Sequence, residues 1–148
     1  MHNRSADLLN DLLEIVRDGE RFYRDAAERA RSPELRGTFR QMAELRQRLM
    51  DELAEHVTAR GARPSDKRTL AGTSRQLVAD TLTALGAPVD GVYLRHLEAA
   101  EDRLLHHYER ALEAAGNDRV QQILRRHLLA VRAAHDRMKA LRDQSLAA

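Results

Sequence analysis

The chain has 148 residues, and its 25 basic and 23 acidic side chains leave a formal net charge of only +2. It contains no cysteine, which excludes disulfides, thiolate metal sites and thiol-based catalysis. Strong helix formers dominate and no segment alternates like a strand, so we expect one all-α domain over residues 1–148.

The first part of the chain predicts a helical hairpin. Apolar residues recur every three or four positions from the N-terminus and predict a helix over about 5–31. Ser32 and Pro33 then form an N-cap followed by proline at the first helical position. A second helix is expected over about 33–60, and Gly61 is placed to end it. So short a break between two long helices predicts an antiparallel pair.

The second part predicts another hairpin, reached through a long connection. Residues 61–87 hold turn residues and only a weak apolar pattern, which predicts a linker with a short helix over about 72–85. A third long helix is expected over about 89–115. Asn117 is the expected N-cap of a fourth, over about 118–142.

The lengths of the three connections predict the architecture. Two hairpins joined by one long crossover make the second and third long helices parallel. This is the ferritin-like arrangement of a four-helix bundle, as opposed to the bundle with short loops throughout. We therefore predict a ferritin-like bundle whose long crossover carries a short helix.

Polar side chains interrupt the apolar face of every long helix near its middle. The predicted central layer consists of Glu20, Arg46, Glu101 and His127. Tyr23 and Tyr108 follow the two glutamates on the same faces, so we expect both rings to be buried with their hydroxyls on the same network.

A buried carboxylate must be paired, protonated or bound to a metal. Arg46 could bridge Glu20 and Glu101 with its planar guanidinium group, which would make the layer an ion-pair network. We predict that the two glutamates approach each other, bridged by Arg46, by a metal, or by each in different states.

The metal alternative needs a defined ligand set. A carboxylate di-metal site in such a bundle takes one glutamate from each of two helices and Glu-x-x-His from each of the others. The candidate ligands here are Glu20, Glu44, Gln47, Glu101 and His127. Glu-x-x-His occurs nowhere in the chain, and Arg46 would place positive charge beside the metal. We therefore expect no cofactor, with iron or manganese as the alternative.

Several runs of residues resemble a known family. They are LNDLLE at 9–14, DGE at 18–20, EAAED at 98–102, YERAL at 108–112, VRAAHDR at 131–137 and ALRD at 140–143. In order and spacing they resemble a bacterial family of small four-helix-bundle proteins, domain of unknown function 2383, grouped with the ferritin-like proteins. The resemblance implies a ferritin-like bundle and no established reaction.

The sequence leaves two candidate functions. The first is a non-catalytic helical bundle, a bacterial stress-associated or assembly protein that forms a homo-oligomer through its helix faces. The second is a ferritin-like metalloprotein that binds iron or manganese through inward glutamates and handles oxygen or peroxide.

The sequence does not favour membrane or nucleic-acid partners. Its charges interleave along the helices as on a solvated surface, so nucleic acid is not an expected partner. The N-terminus carries acidic residues without an apolar core, and no uncharged stretch could cross a bilayer. We therefore expect a cytoplasmic protein.

Overall fold

The computed structural model describes residues 3–147, with side chains through residue 145. The described residues form five helices and no strand, which confirms the all-α prediction. The helices are α1 (Arg4–Arg29), α2 (Pro33–Ala59), α3 (Leu70–Ala84), α4 (Val89–Ala114) and α5 (Asp118–Ala147). Since α5 continues to Ala147, the predicted end of the fourth long helix near residue 142 is wrong.

The helix ends follow from local chemistry. Ser32 accepts a hydrogen bond from the backbone N–H of Leu35 and caps α2. At the other end of α2, Gly61 has φ +75°. Its N–H and that of Ala62 bond back to the carbonyls of Thr58 and Val57, a Schellman motif that needs a residue tolerant of positive φ. Gly61 therefore ends α2 as the sequence predicted.

The long helices pack as two antiparallel hairpins. Within α1 and α4, Tyr23 contacts Glu101, whereas Asp90 at the start of α4 accepts from the backbone just beyond α1. These contacts make α1 antiparallel to α4. Glu52 and His127 likewise lie together, and earlier residues of α2 contact later residues of α5. α1 is also antiparallel to α2, because only a short break separates them. Since both α2 and α4 are antiparallel to α1, they run parallel to each other.

The connection between α2 and α4 runs along the outside of α1. Side chains of Asn3, Asn10 and Arg17 donate in turn to the carbonyls of Arg60, Arg63 and Lys67. Because later residues of the connection meet later residues of α1, the two segments run in the same direction. α3 then packs on α1 and α4, where Tyr93 donates to Asp80 at 2.8 Å. The segment thus returns the chain to the end of the bundle where α4 begins.

The buried apolar side chains form two clusters, one in each half of the bundle. One contains Val16, Leu49 and Leu104, and the other contains Phe22, Phe39 and Leu97. The polar positions 20, 46 and 101 fall between these clusters on their helices. None of the helices described combines the length and the apolar character that crossing a membrane requires.

Candidate polar centre

Three helices meet at a buried ion pair. Arg46 of α2 donates from Nη2 to Glu101 Oε1 of α4 at 2.8 Å. The Tyr23 hydroxyl of α1 donates to the same oxygen at 2.6 Å. The side chains of Arg46 and Glu101 are 2% and 0% exposed, and Tyr23 is also buried. The sequence-predicted inward positions of these three residues therefore converge on one carboxylate.

The charges at this centre support one another. Burial opposes the charged guanidinium, but its interactions with Glu101 and with Tyr23 and Tyr108 together outweigh burial and raise the pKa of Arg46. Burial and the same carboxylate raise the pKa of Tyr23 well above its ordinary range, so its hydroxyl keeps its proton. The Arg46 guanidinium carbon also lies 5.6 Å from the centroid of the Tyr23 ring, within cation–π range. Tyr23 thus donates a proton to Glu101 and offers a ring face to Arg46.

Gly19 makes room for the guanidinium. A Cβ atom at this position would lie closer than 3.0 Å to Nη1 and Cζ of Arg46. Glycine inside a helix costs up to about 1 kcal/mol relative to alanine. The close approach of Arg46 is therefore the physical reason for a glycine in the middle of α1.

Glu20 does not join this centre, which corrects the predicted Glu20–Arg46–Glu101 bridge. Its carboxylate accepts from Arg24, four residues later on the same helix. The Arg24 side chain is 61% exposed, so this pair lies at the edge of the bundle. Glu20 is itself buried, and the long Arg24 side chain reaches back one turn along the helix to pair with it.

A second buried polar group lies farther along the bundle. Tyr108 of α4 lies 2.9 Å from His127 Nδ1 of α5, and His127 Nε2 lies 2.5 Å from the half-exposed Glu52 carboxylate of α2. Six residues of helix, or about 9 Å, separate the α2 positions of this group and the ion pair. The four polar positions therefore occupy two layers, and the predicted single layer is wrong.

The hydrogen-bond pattern assigns the neutral tautomer of His127. With Glu52 ionised, Nε2–H donates to the carboxylate and Nδ1 accepts from the Tyr108 hydroxyl, which satisfies every group. Burial lowers the pKa of His127, although the Glu52 carboxylate opposes this. Burial likewise raises the pKa of Tyr108 far above its ordinary value. Protonating His127 would leave the buried Tyr108 hydroxyl without its acceptor.

Sequence reasoning missed a third cluster, around Asp18. This buried carboxylate accepts from the backbone N–H of Thr69 at 2.9 Å and from its hydroxyl. Arg103 lies 3.4 Å away, and a Cβ at Gly72 would collide with the carboxylate. Thr69 stands 51 residues from Asp18 in the chain, so no local pattern connects the two. The one available signal in the sequence was Gly72, near the start of the short helix.

A cavity of about 10 Å³ lies between the ion pair and the Asp18 cluster. It is large enough for about one water molecule. Gly19 and Gly72 line it together with Asp18, Arg46 and Arg103. The cavity therefore lies between the buried ion pair and the first turn of α3.

The structure does not bring the candidate metal ligands together. Glu44 and Gln47 are exposed on α2, and Gln47 donates to Asp51 instead. Glu101 and His127 belong to the separate layers described above. Across residues 3–147, no three histidine, aspartate or glutamate side chains are grouped so that they could hold a metal ion.

One half-buried histidine has the opposite electrostatics. His135 of α5 pairs with Asp102 of α4 and with its neighbour Asp136. Burial disfavours its charged form, but the hydrogen bonds to Asp136 and Asp102 outweigh burial and raise the pKa of His135. The contact between α4 and α5 therefore favours the protonated form of His135.

A protein-family model matches most of the chain. The model of the family described as domain of unknown function (DUF2383) matches residues 4–114 of the 148. The match spans α1 to α4, including Tyr23, Arg46 and Glu101. No curated protein matches the chain. The chain belongs to this family.

Proposed function

We propose that this member of the family is a non-catalytic, ferritin-like bundle that acts as an assembly protein, with a salt bridge in place of a metal centre. The observation that carries the proposal is the Arg46–Glu101 pair at 2.8 Å, fully enclosed between the two apolar halves of the bundle. A fixed guanidinium neutralises the inward glutamate, which a metal would otherwise do.

The ferritin-like part of the proposal rests on the path of the chain. Two antiparallel hairpins and one long connection that runs beside α1 are the features that distinguish ferritin-like bundles from bundles with short loops. α3, within that connection, corresponds to the crossover helix of the proposal.

Ferritin-like folds imply a di-metal centre, and the residues here do not fit one. Such a centre needs four carboxylates and two histidines facing inward. In the present bundle Glu101 is the inward carboxylate at the middle, and a cation already occupies the space beside it. Glu20 is committed to Arg24. The side chains at this centre therefore do not fit a di-metal cofactor.

The alternative function, an iron or manganese protein that handles oxygen or peroxide, has one observation in its favour. Glu101 Oε2 is buried and has no hydrogen-bond partner among the described residues. An unsatisfied buried oxygen calls for an explanation, and a water or a cation could supply it.

Metal analysis separates the two functions. Protein purified without a polyhistidine tag would be incubated with Mn²⁺ or Fe²⁺, desalted and analysed for metal, alongside Glu101→Gln and the exposed control Glu28→Gln. The proposal predicts no stoichiometric metal, no change in the melting temperature of any variant on adding metal, and no peroxide consumption beyond that of free metal. A stoichiometric metal that is lost in Glu101→Gln and kept in Glu28→Gln would establish the alternative.

A further inference from the structure

The short helix α3 packs with its small residues and exposes its large ones. Only Gly72 and Ala79 are buried in it. Its large apolar side chains face solvent instead: Leu70, Leu77, Val78 and Leu82, followed by Leu85 at the C-cap. Outside this segment, Leu129 is the one other large apolar side chain exposed in the described structure. Within the described residues, the apolar face of α3 therefore has no cover.

The outer face of α3 also carries no charge. Its exposed positions are Leu70, Ala71, Thr73, Ser74, Leu77, Val78, Thr81, Leu82, Ala84 and Leu85. Charged residues make up 32% of the chain, so an uncharged face along a whole helix is a departure from the rest of the surface. Contiguous exposed apolar patches of this kind mark interaction sites.

The pattern along this face is nearly the same in both directions. About the midpoint between Leu77 and Val78, Leu70 is matched by Leu85, Ala71 by Ala84 and Ser74 by Thr81. Large residues therefore stand at the centre and at both ends. The one departure among the exposed positions is Leu82, whose counterpart is the smaller Thr73. Two such helices in antiparallel contact place Leu70 of one copy beside Leu85 of the other and Leu82 beside the smaller Thr73. Each of these contacts then occurs twice about a two-fold axis.

These features favour a second copy of the chain over other partners. A charged partner would find nothing to pair with on this face. A membrane-surface helix would pair its apolar face with a Lys- or Arg-rich polar face and carry aromatic residues, whereas α3 has one arginine and no aromatic residue. A self-complementary, uncharged face meets its own copy without like-charge repulsion.

We infer that two copies of this protein associate through the outer faces of their α3 helices, antiparallel and with the two-fold axis beside Leu77 and Val78. The inference deepens the proposed assembly function and rests on it. A helix of 15 residues is about 22 Å long and covers less than the roughly 800 Å² per partner of a standard interface. The dimer is therefore weak and concentration-dependent.

Charge substitution tests the surface. Sedimentation velocity and light scattering from low micromolar to submillimolar concentration should show a monomer–dimer equilibrium for the wild type. Leu77→Asp should weaken it by about tenfold or more. The matched control is Leu129→Asp on α5, since Leu77 and Leu129 are 65% and 71% exposed. A wild type that stays monomeric throughout, or equal dissociation constants for the two variants, would overturn the inference.

Cross-linking tests the orientation, and a chain without cysteine makes single-cysteine variants unambiguous. Leu77→Cys should form a disulfide-linked dimer on mild oxidation. Ser74→Cys should not, because its two copies would be about 10 Å apart along the helices, beyond disulfide reach of roughly 7 Å. A mixture of Ser74→Cys with Thr81→Cys should cross-link as a heterodimer. Rapid self-linking of Ser74→Cys would instead indicate parallel helices and contradict the proposed axis.

The two proposals fail separately. A monomeric wild type with no bound metal would remove the α3 interface and leave the salt-bridged centre intact. Stoichiometric metal in a protein that still dimerises through α3 would refute the proposed centre and leave the interface in place.

Discussion

Replacing Arg46 by methionine should destabilise the bundle severely. The substitution keeps a long apolar side chain in the core but removes the guanidinium from Glu101 and from the Tyr23 ring. Glu101 would keep one hydrogen bond, from the Tyr23 hydroxyl, inside an otherwise apolar centre. Removing one partner of a buried ion pair costs about 3–5 kcal/mol. For a chain of this size, that lowers the melting temperature by roughly 6–20 °C.

The assay is urea and thermal unfolding followed by far-ultraviolet circular dichroism. Arg48→Met is the matched control, because Arg48 is exposed on the same helix and should change the free energy of unfolding by less than about 0.5 kcal/mol. The double variant Arg46→Met/Glu101→Leu removes both charges and should recover much of the loss, since apolar replacements of buried pairs are often neutral or stabilising. A cost below about 1 kcal/mol for Arg46→Met would refute the ion pair as the organising contact of the centre.

Three further predictions follow from the geometry and the charges. Gly19→Ala should lower the free energy of unfolding, because the added Cβ collides with Arg46. Gly37→Ala meets nothing within 4 Å and should raise the free energy of unfolding by up to about 1 kcal/mol. Urea melts in which both variants shift the free energy of unfolding in the same direction would contradict this. Burial lowers the folded-state pKa of His127, so its contribution is lost as pH falls below about 6.5, and His127→Gln should show a smaller acid-induced drop in melting temperature than the wild type. The pKa of His135 is raised, so its contribution is present below about pH 6.5 and is lost as pH rises through the folded-state pKa. His135→Gln should therefore cost more stability at pH 5.5 than at pH 8.5, and a pH-independent cost would refute the pairing.

The helical framework was predictable because it depends on local signals. Ser32 and Pro33 start α2, and Gly61 ends it, through contacts within a few residues. The apolar period also placed Arg46 and Glu101 on inward faces, where the structure has them.

The details of the polar groups were less predictable because they depend on relative heights and on distant partners. The height of His127 against Arg46 depends on how α5 is offset along α2, which no local pattern specifies. Glu20 lies on an inward position, yet its flexible side chain reaches Arg24. The Asp18 cluster was missed because Thr69 belongs to an irregular connection whose path is decided by hydrogen bonds to α1.

The central claim is that an arginine neutralises the inward glutamate of this bundle. The most direct measurement is a crystal structure of the untagged protein soaked in Mn²⁺, with anomalous data collected for manganese. We expect no anomalous peak at Glu101, and we expect Arg46 Nη2 to lie close to 2.8 Å from Glu101 Oε1. A manganese ion bonded to Glu101, with the guanidinium of Arg46 displaced, would contradict it.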